Sequence, residues 1–462
     1  MSTQSAPSTL FDLIARIPAD KIAIILPEQN VKVTYGSLRA QVQAVAEQLA
    51  AAGINRGDRI ATSLTNGLPM IVSFLAAAVA GTAAPLNPAY KEDEFKFFLD
   101  DTDARVLLLP PDGGDEARRA AGDKYPVIII EMDAAGVVSL QGVGRKPVDP
   151  PGIDDVALVL HTSGSTGRPK RVPLAHKNLT ISAGNVARHY GLTADDVSLC
   201  VMPLFHVHGL VASTLATLST GGTVVVPAKF SPLSFWRVAR DHHVTWYSAV
   251  PTLHQLLLAR AADPSDPARR PAGAERLRFI RSCGAALPPQ VMHALETAFG
   301  APVLEAYGMT EAAHQMASNP LPPAARKPGS VGRGTDVQIS IMDGEGNHLP
   351  PGQAGEIVIK GPNVITGYEN NPDANTTSFT DGWFKTGDQG ILDDEGYLTL
   401  LREGTRASAA DLLAFCQERL ADDKRPKQTH ITEQDPGHGD RQDPARCRGE
   451  GLYPHHEMNV VG

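Results

Sequence analysis

The residues best equipped for chemistry lie in one run, His161-Thr162-Ser163-Gly164-Ser165-Thr166-Gly167-Arg168-Pro169-Lys170. Gly164 and Gly167 free the backbone to turn N–H groups toward an anion, Ser163, Ser165 and Thr166 add hydroxyl donors, and Lys170 adds a mobile positive charge. That set handles phosphate. It is not the Gly-Lys-Ser/Thr opening of a P-loop helix, because Pro169 precedes Lys170 and an apolar segment, Val172 to Leu174, follows. Taken alone, the run also fits a Ser/Gly-rich surface turn.

Four further segments carry reactive groups. Tyr307-Gly308-Met309-Thr310-Glu311 joins an aromatic face, a tight turn, a hydroxyl and a carboxylate, which together could stack a base, contact a phosphate and hold a divalent ion; a strand-to-helix turn capped by Thr310 is the alternative. Arg281-Ser282-Cys283-Gly284-Ala285-Ala286-Leu287 offers small residues against which a flat ring could lie, or simply close helix–strand packing. Pro203 to Gly209 places His206 and His208 two apart with no third ligand cluster nearby, so a substrate-pocket role stands beside that of a core histidine. Phe384-Lys385-Thr386-Gly387-Asp388 closes on a carboxylate suited to two ribose hydroxyls, or is an ordinary turn.

These groups need a scaffold, and the pattern supplies one. Val156 to Leu160 is a continuous apolar run, expected as a buried strand delivering the phosphate loop to a sheet rim. Strands are expected over Ala23 to Leu26, Val31 to Tyr35, Arg59 to Leu64, Ala104 to Leu109 and Tyr125 to Glu131, with helical stretches between them. That alternation implies a parallel α/β unit. Gly136 to Pro151 reads as loop. A second α/β unit runs through Thr223 to Pro227 and Val244 to Val250 to Leu277 to Ser282, and a small β-rich subdomain begins at Gly329, with Val337 to Met342 and Gly355 to Lys360. Met1 to Leu10 reads as a mobile tail, and Ile71 to Leu86 as a buried helix, too short for the ~20 residues of a membrane span.

Composition narrows the function. With 462 residues the chain implies several units, and 42% hydrophobic against 20% charged residues is a globular balance. A net charge of −9 argues against a nucleic-acid partner and favours small-molecule chemistry. Cys200, Cys283, Cys416 and Cys447 are widely spaced, as reduced intracellular thiols would be. The cytoplasm is the expected location, and Asn459 to Gly462 is no Ser-Lys-Leu peroxisomal address. Oligomeric state is not written in the sequence.

Taken in order, these motifs resemble the adenylate-forming superfamily of acyl-CoA synthetases, luciferases and peptide-synthetase adenylation domains, over roughly Thr34 to Leu400. The resemblance implies ATP, Mg²⁺ and CoA as reactants with a small carboxylic acid: the acid attacks the α-phosphate, giving an acyl-adenylate and pyrophosphate, and the CoA thiolate then displaces AMP. It assigns Thr162, Ser163, Gly164, Ser165, Thr166, Gly167 and Lys170 to the departing phosphates, and Glu311 with Thr166 to Mg²⁺. The adenosine moiety falls to Gly284, Ala285, Ala286, Glu305, Ala306, Tyr307, Gly308, Met309, Thr310 and Asp388. Lys170, Thr310, Glu311 and His206 become the catalytic candidates. Arg171 departs from the glycine usual in the family. Within the superfamily the chain is most similar to oxalate–CoA ligases of the 4-coumarate–CoA ligase-like group, through Pro203 to Leu210, Thr245 to Gln255, Arg278 to Cys283, Pro302 to Thr310 and Asn319 to Pro322. A tiny dianion needs polar partners, and His206, Ser282 and His314 are the candidates, with His314 one turn beyond Thr310 if that segment is helical. Gly284 replaces the usual serine. An aromatic or medium-chain acid ligase and a nucleotide-binding pseudoenzyme are the competing readings.

The resemblance implies an adenylation domain over 10–400, made of two α/β subdomains and a β-rich one, then a small α+β C-terminal domain. Of that last domain only a remnant, 401–434, is recognisable: Leu401 to Thr405 stands where a hinge is expected, as if an internal stretch were deleted. Ala409 to Leu420 reads as its one helix, and 435–462 as a disordered or frameshifted tail. Permitted codons for Asp440-Arg441-Gln442-Asp443-Pro444, read one base later, spell Thr-Gly-Lys-Ile-Gln, the family's lysine motif. A frameshift near Gln434 is therefore expected, and loss of that lysine would impair ligation.

Overall fold

The computed structural model describes residues 8–162, 169–261, 269–401, 428–430 and 459–461. The chain divides into two units, Met1–Leu400 and Leu401–Gly462. In the second, the short strands Gln428–His430 and Asn459–Val461 pair antiparallel; the expected helix at Ala409 to Leu420 and the altered segment near Asp440 lie outside the described residues.

The first unit is built on three sheets. One has seven strands in the order Val138–Leu140, Val127–Met132, Ala104–Leu109, Arg59–Thr62, Thr82–Pro85, Val156–Thr162 and Lys170–Ala175, parallel except at its two edges. A second has nine, with Val197–Cys200, Thr223–Val225, Trp246–Ala249, Phe279–Ser282 and Val303–Met309 forming its parallel centre with Ile22–Leu26. The third is antiparallel and smaller, around Gln338–Met342, Ala354–Lys360 and Trp383–Leu392. Two α/β layers and a β-rich one are thus as expected, but their membership does not follow chain order. Ile22–Leu26 and Val31–Thr34 join the nine-stranded sheet, whereas Val156–Thr162 and Lys170–Ala175 join the seven-stranded one. Pattern fixes a strand's type; which sheet completes it depends on the apolar face it must cover.

One apolar core ties the three sheets together, drawing on Leu158 and Ala83, on Ile24 and Val224, and on Ile357 and Phe384. The window expected as a single buried helix is split: Leu68–Ala80 is helical, and Thr82–Pro85 is a strand. Twelve of that helix's residues are buried, so its all-round apolar sequence reflects layers on every side. Gly81 makes the break. A Cβ there would lie 2.6 Å from the Asp58 carbonyl oxygen, so the chain can turn into the strand only without a side chain. Three smaller expectations also change. Tyr35 begins a helix, Tyr35–Ala51, because the Thr34 hydroxyl accepts from Ser37 N–H and caps it. The expected tail is anchored at its end, where Thr9 and Asp12 form a capping box and Leu10 is buried. Finally, the stretch read as loop holds the edge strand Val138–Leu140.

Candidate active site

The phosphate-loop strand ends where the parallel sheet opens. Leu158, Val159 and Leu160 are buried, and the antiparallel hairpin with Lys170–Ala175 sets Thr162 opposite Lys170, so the two ends of the loop emerge side by side. Ser163, Gly164, Ser165, Thr166 and Gly167 lie outside the described residues.

The next groups come from the edge of the nine-stranded sheet. Val303–Met309 is followed by a single 3₁₀ turn, Thr310–Ala312, and the chain returns antiparallel as His314–Ser318. Thr310 therefore caps no α-helix, and His314 is not one helical turn beyond it: His314 pairs with Met309 across the hairpin. Gly308 permits this reversal, since a Cβ would sit 2.2 Å from the His314 carbonyl oxygen. The turn fixes Glu311 inside the protein, only 5% exposed, where its carboxylate accepts from the Tyr368 hydroxyl at 2.9 Å and the Thr162 hydroxyl at 3.4 Å. The Lys170 ammonium lies 4.9 Å from the centre of the Tyr368 ring, a cation–π contact. Thr386-Gly387-Asp388, expected as a loop or turn, lies instead within the strand Trp383–Leu392 at a register shift against Ala354–Lys360, where Gly387 has φ +79° and the Thr386 hydroxyl accepts from Asp388 N–H at 3.1 Å. Tyr307 donates a short hydrogen bond to exposed Asp388, and burial followed by this carboxylate keeps its hydroxyl pKa well above the ordinary value.

Thr162, Lys170, Met309, Glu311, Tyr368 and Asp388 thus share the wall of one cleft of about 430 Å³. Lys170 and Lys385, the latter paired with Glu356 at 3.0 Å, suit phosphate, and the oxygen groups suit Mg²⁺, a hard cation that takes few protein carboxylates and completes its shell with phosphate oxygens and water. Among the described residues no cluster of three or more His, Cys, Asp or Glu side chains forms a self-sufficient metal cage.

Gly284, Ala285 and Ala286 form an exposed shelf just after Phe279–Ser282, with Gly284 at φ +92°. Glu305, by contrast, is buried and tethers this region, accepting from Gly329 N–H at 3.0 Å and from the Leu287 backbone, and burial pushes its pKa up to about 7. Ala306 is buried beside it.

On the nine-stranded sheet a polar cluster centres on Arg281, which is wholly buried. Its guanidinium donates to the Ser248 hydroxyl at 2.9 Å, the Tyr190 hydroxyl at 3.0 Å, the Gln315 side-chain oxygen at 3.0 and 3.2 Å, and the His208 ring at 3.4 Å. None of these partners is a carboxylate. Burial, followed by Arg281 itself, holds the His208 and His314 pKa values well below the ordinary range, so both rings are neutral. The two rings meet edge to face at 5.1 Å, and the buried His314 Nδ1 and Gln315 Nε2 have no hydrogen-bond partner. His314 sits at φ +118°, a strained value for a residue with a side chain. His206 is exposed, and its pKa is lowered by partial desolvation. Ser282 is buried without a partner for its hydroxyl; strand alternation sends it to the face opposite Arg281. Sequence reasoning passed over Arg281. The available signal was a charge inside an apolar strand, shared with Arg278, whose guanidinium pairs with Asp196 at 2.6 Å.

A polar cleft carrying Lys170 and Glu311 on a largely parallel α/β scaffold is the kind of site that nucleotide-using enzymes build. The family described as AMP-binding enzyme matches residues 11–369, and the chain belongs to it. It is 44% identical over 391 residues to a probable CoA ligase of Humulus lupulus, covering 82% of this chain and 73% of that protein. With an oxalate–CoA ligase of Arabidopsis thaliana it shares 37% over 493 residues, 92% of this chain and 94% of that one. The ATP-bound structure of MatB from Rhodopseudomonas palustris superposes with a TM-score of 0.76 at 28% identity, over 92% of this chain and 94% of that one. The chain is an ATP-dependent acid–CoA ligase by family, a class whose reactants are ATP, Mg²⁺ and CoA. Among the described residues no helix is long and apolar enough to cross a membrane.

Proposed function

We propose that the chain activates a small dianionic acid, oxalate foremost, as its acyl-adenylate for transfer to CoA. The observation carrying this reading is Arg281: a buried guanidinium with no carboxylate partner among the described residues, ringed by neutral His208, His314, Tyr190 and Gln315. Arginine cannot shed its proton, so a lone buried one is costly unless an anion joins it. A dianion brings one carboxylate to react and another to neutralise that charge. The Arabidopsis relative's name, oxalate–CoA ligase, supports the same acid.

In this reading Lys170 and the loop after Thr162 hold the departing phosphates, Glu311 carries Mg²⁺, and Asp388 and the 284–286 shelf orient the nucleoside. Mg²⁺ when bound neutralises crowded phosphate oxygens. The protein's own share is to fix the acid in line with the α-phosphate and to place donors where charge develops. His206 is proposed to flank the acid and Thr310 to support Glu311, whereas Ser282, on the strand face opposite Arg281, drops out of the acid's contacts.

A second proposal concerns completeness. Residues 10–400 form the adenylation domain, 401–434 a remnant of the C-terminal one, and 435–462 a frameshifted tail. The match to the Arabidopsis enzyme runs over 493 positions while using 92% of a 462-residue chain, so it opens gaps within this chain, which supports an internal deletion. Adenylation without efficient thioester formation is the expected consequence. ATP–pyrophosphate exchange with oxalate, malonate, coumarate and octanoate, with and without a restored C-terminal domain, tests both. Oxalate should support the fastest exchange, and restoration should raise CoA transfer. Fastest exchange with coumarate or octanoate would overturn the dianion reading, and ATP binding without exchange in either form would mark a nucleotide-binding protein instead.

A further inference from the structure

Directly behind the phosphate cleft lies a second charge network that the reaction does not require. Arg171 follows Lys170 on the same strand, with its side chain only 12% exposed. Its Nε lies 3.5 Å from an Asp101 carboxylate oxygen, and its Nη1 lies 3.9 Å from Glu369. Glu369 is gripped from the other side by one Arg59 nitrogen, at 2.7 and 2.8 Å to its two oxygens. Asp101 also meets His161 Nε2 at 3.0 Å, and burial keeps the His161 pKa below the ordinary value, so the pair involves a neutral ring. Arg59 and Arg171 thus both face Glu369, and Arg171 also faces Asp101.

The network joins four pieces of chain: the strand bearing Arg59, the end of the helix Glu92–Thr102, the phosphate-loop hairpin, and the segment holding Glu369. The last junction is also made by the backbone, since Glu369 N–H donates to the Arg171 carbonyl at 3.1 Å in an isolated antiparallel bridge. One residue before Glu369 stands Tyr368, which holds Glu311 and faces Lys170. One residue before Arg171 stands Lys170 itself. Lys170, assigned to the phosphates, and Tyr368, which holds the metal-assigned carboxylate of Glu311, are therefore each one residue from the same ion pair.

We infer that the Arg171–Glu369 pair is a positioning device for the phosphate end of the nucleotide, fixing the distance between Lys170 and the Tyr368–Glu311 unit. Arg171 touches no substrate. It acts by keeping the hairpin and the Tyr368 segment in register, so its loss lets the cation and the carboxylate drift apart without changing either. The inference rests on the nucleotide-binding part of the proposed function and is independent of the acid.

The test is calorimetric titration of the 462-residue chain, as wild type, Arg171→Ala, Arg171→Lys, Glu369→Gln and the double variant Arg171→Ala/Glu369→Gln, with MgATP and with AMP. Arg171→Ala should weaken MgATP about fivefold, the scale of one partly buried ion-pair network, and leave AMP within about twofold. Arg171→Lys, which keeps the charge, should recover at least half of the loss. The double variant should lose no more than the worse single one, as expected of groups acting as a unit. Equal losses for MgATP and AMP, no loss for MgATP, or additive losses in the double variant would overturn the inference. Because AMP lacks the outer phosphates, a variant that is merely less stable would lower both affinities together.

Discussion

Arg171 and Arg281 are both withdrawn from solvent in the same unit, yet their surroundings differ in kind. Arg171 stands between the carboxylates of Asp101 and Glu369; Arg281 has only neutral partners. A paired charge is finished, and its work is to hold segments together. An unpaired one is a site in waiting. Glu305 completes the comparison from the acidic side, because it too is buried with only backbone donors, and it responds by moving its pKa to about 7. A lone carboxyl can take up a proton and become neutral, whereas a lone guanidinium cannot.

The largest expected effect breaks the lone cation. Arg281→Met should lower oxalate-dependent ATP–pyrophosphate exchange by about 100- to 1000-fold, the scale of losing one preorganised partner for developing charge. The same change should shift the melting temperature little, because removing an unneutralised buried charge offsets the loss of its hydrogen bonds to Ser248, Tyr190 and Gln315. Loss of activity together with a large drop in melting temperature would count against the distinction.

The lone acid is sharpened by pH. The folded pKa of Glu305, about 7, stands above its ordinary 4.5, so the folded protein retains a proton that the unfolded chain releases. Stability from this group is fully present below 4.5, falls as pH rises toward 7, and stays lost above it. Glu305→Gln removes that loss. Unfolding in urea should therefore show the variant gaining on the parent by about 2 to 3 kcal/mol between pH 4.5 and 8. A constant difference across the range would mean that Glu305 stays ionised.

Glu311 lies between these cases, with hydroxyl partners and no cation bonded to it among the described residues. Glu311→Gln should raise the Mg²⁺ concentration needed for half-maximal exchange about tenfold, read from a Mg²⁺ titration at fixed ATP. The smallest change is that of the paired charge: Arg171→Ala should weaken MgATP by about fivefold only.

How much of this was legible in the sequence follows the same division. The run from Thr162 to Lys170 and the segment Tyr307 to Glu311 were readable because glycine, hydroxyl and charge at close spacing are unusual together, and the hairpin places Thr162, Lys170 and Glu311 at one cleft. The sheet assignment of Ile22–Leu26 was not readable, since an apolar strand carries no mark of which layer it will cover. His314 was named as a site residue but put on the wrong element, because a single 3₁₀ turn and a helix start look alike over three residues. Arg281 and Arg171 each looked like an isolated charge. Only the fold shows that one has partners some 70 and 198 positions away in the chain, at Asp101 and Glu369, and that the other has no carboxylate at all among the described residues.

The central claim is that the Arg281 cluster receives the acid's second carboxylate. Its most direct test is calorimetric binding of oxalate and of glyoxylate, which keeps the size but has one carboxylate fewer, to the chain saturated with AMP. Oxalate should bind at least ~10-fold more tightly than glyoxylate, as a charge-assisted buried pair requires, and Arg281→Met should erase that preference. Equal affinity for the two acids, or an oxalate preference that survives Arg281→Met, would contradict it.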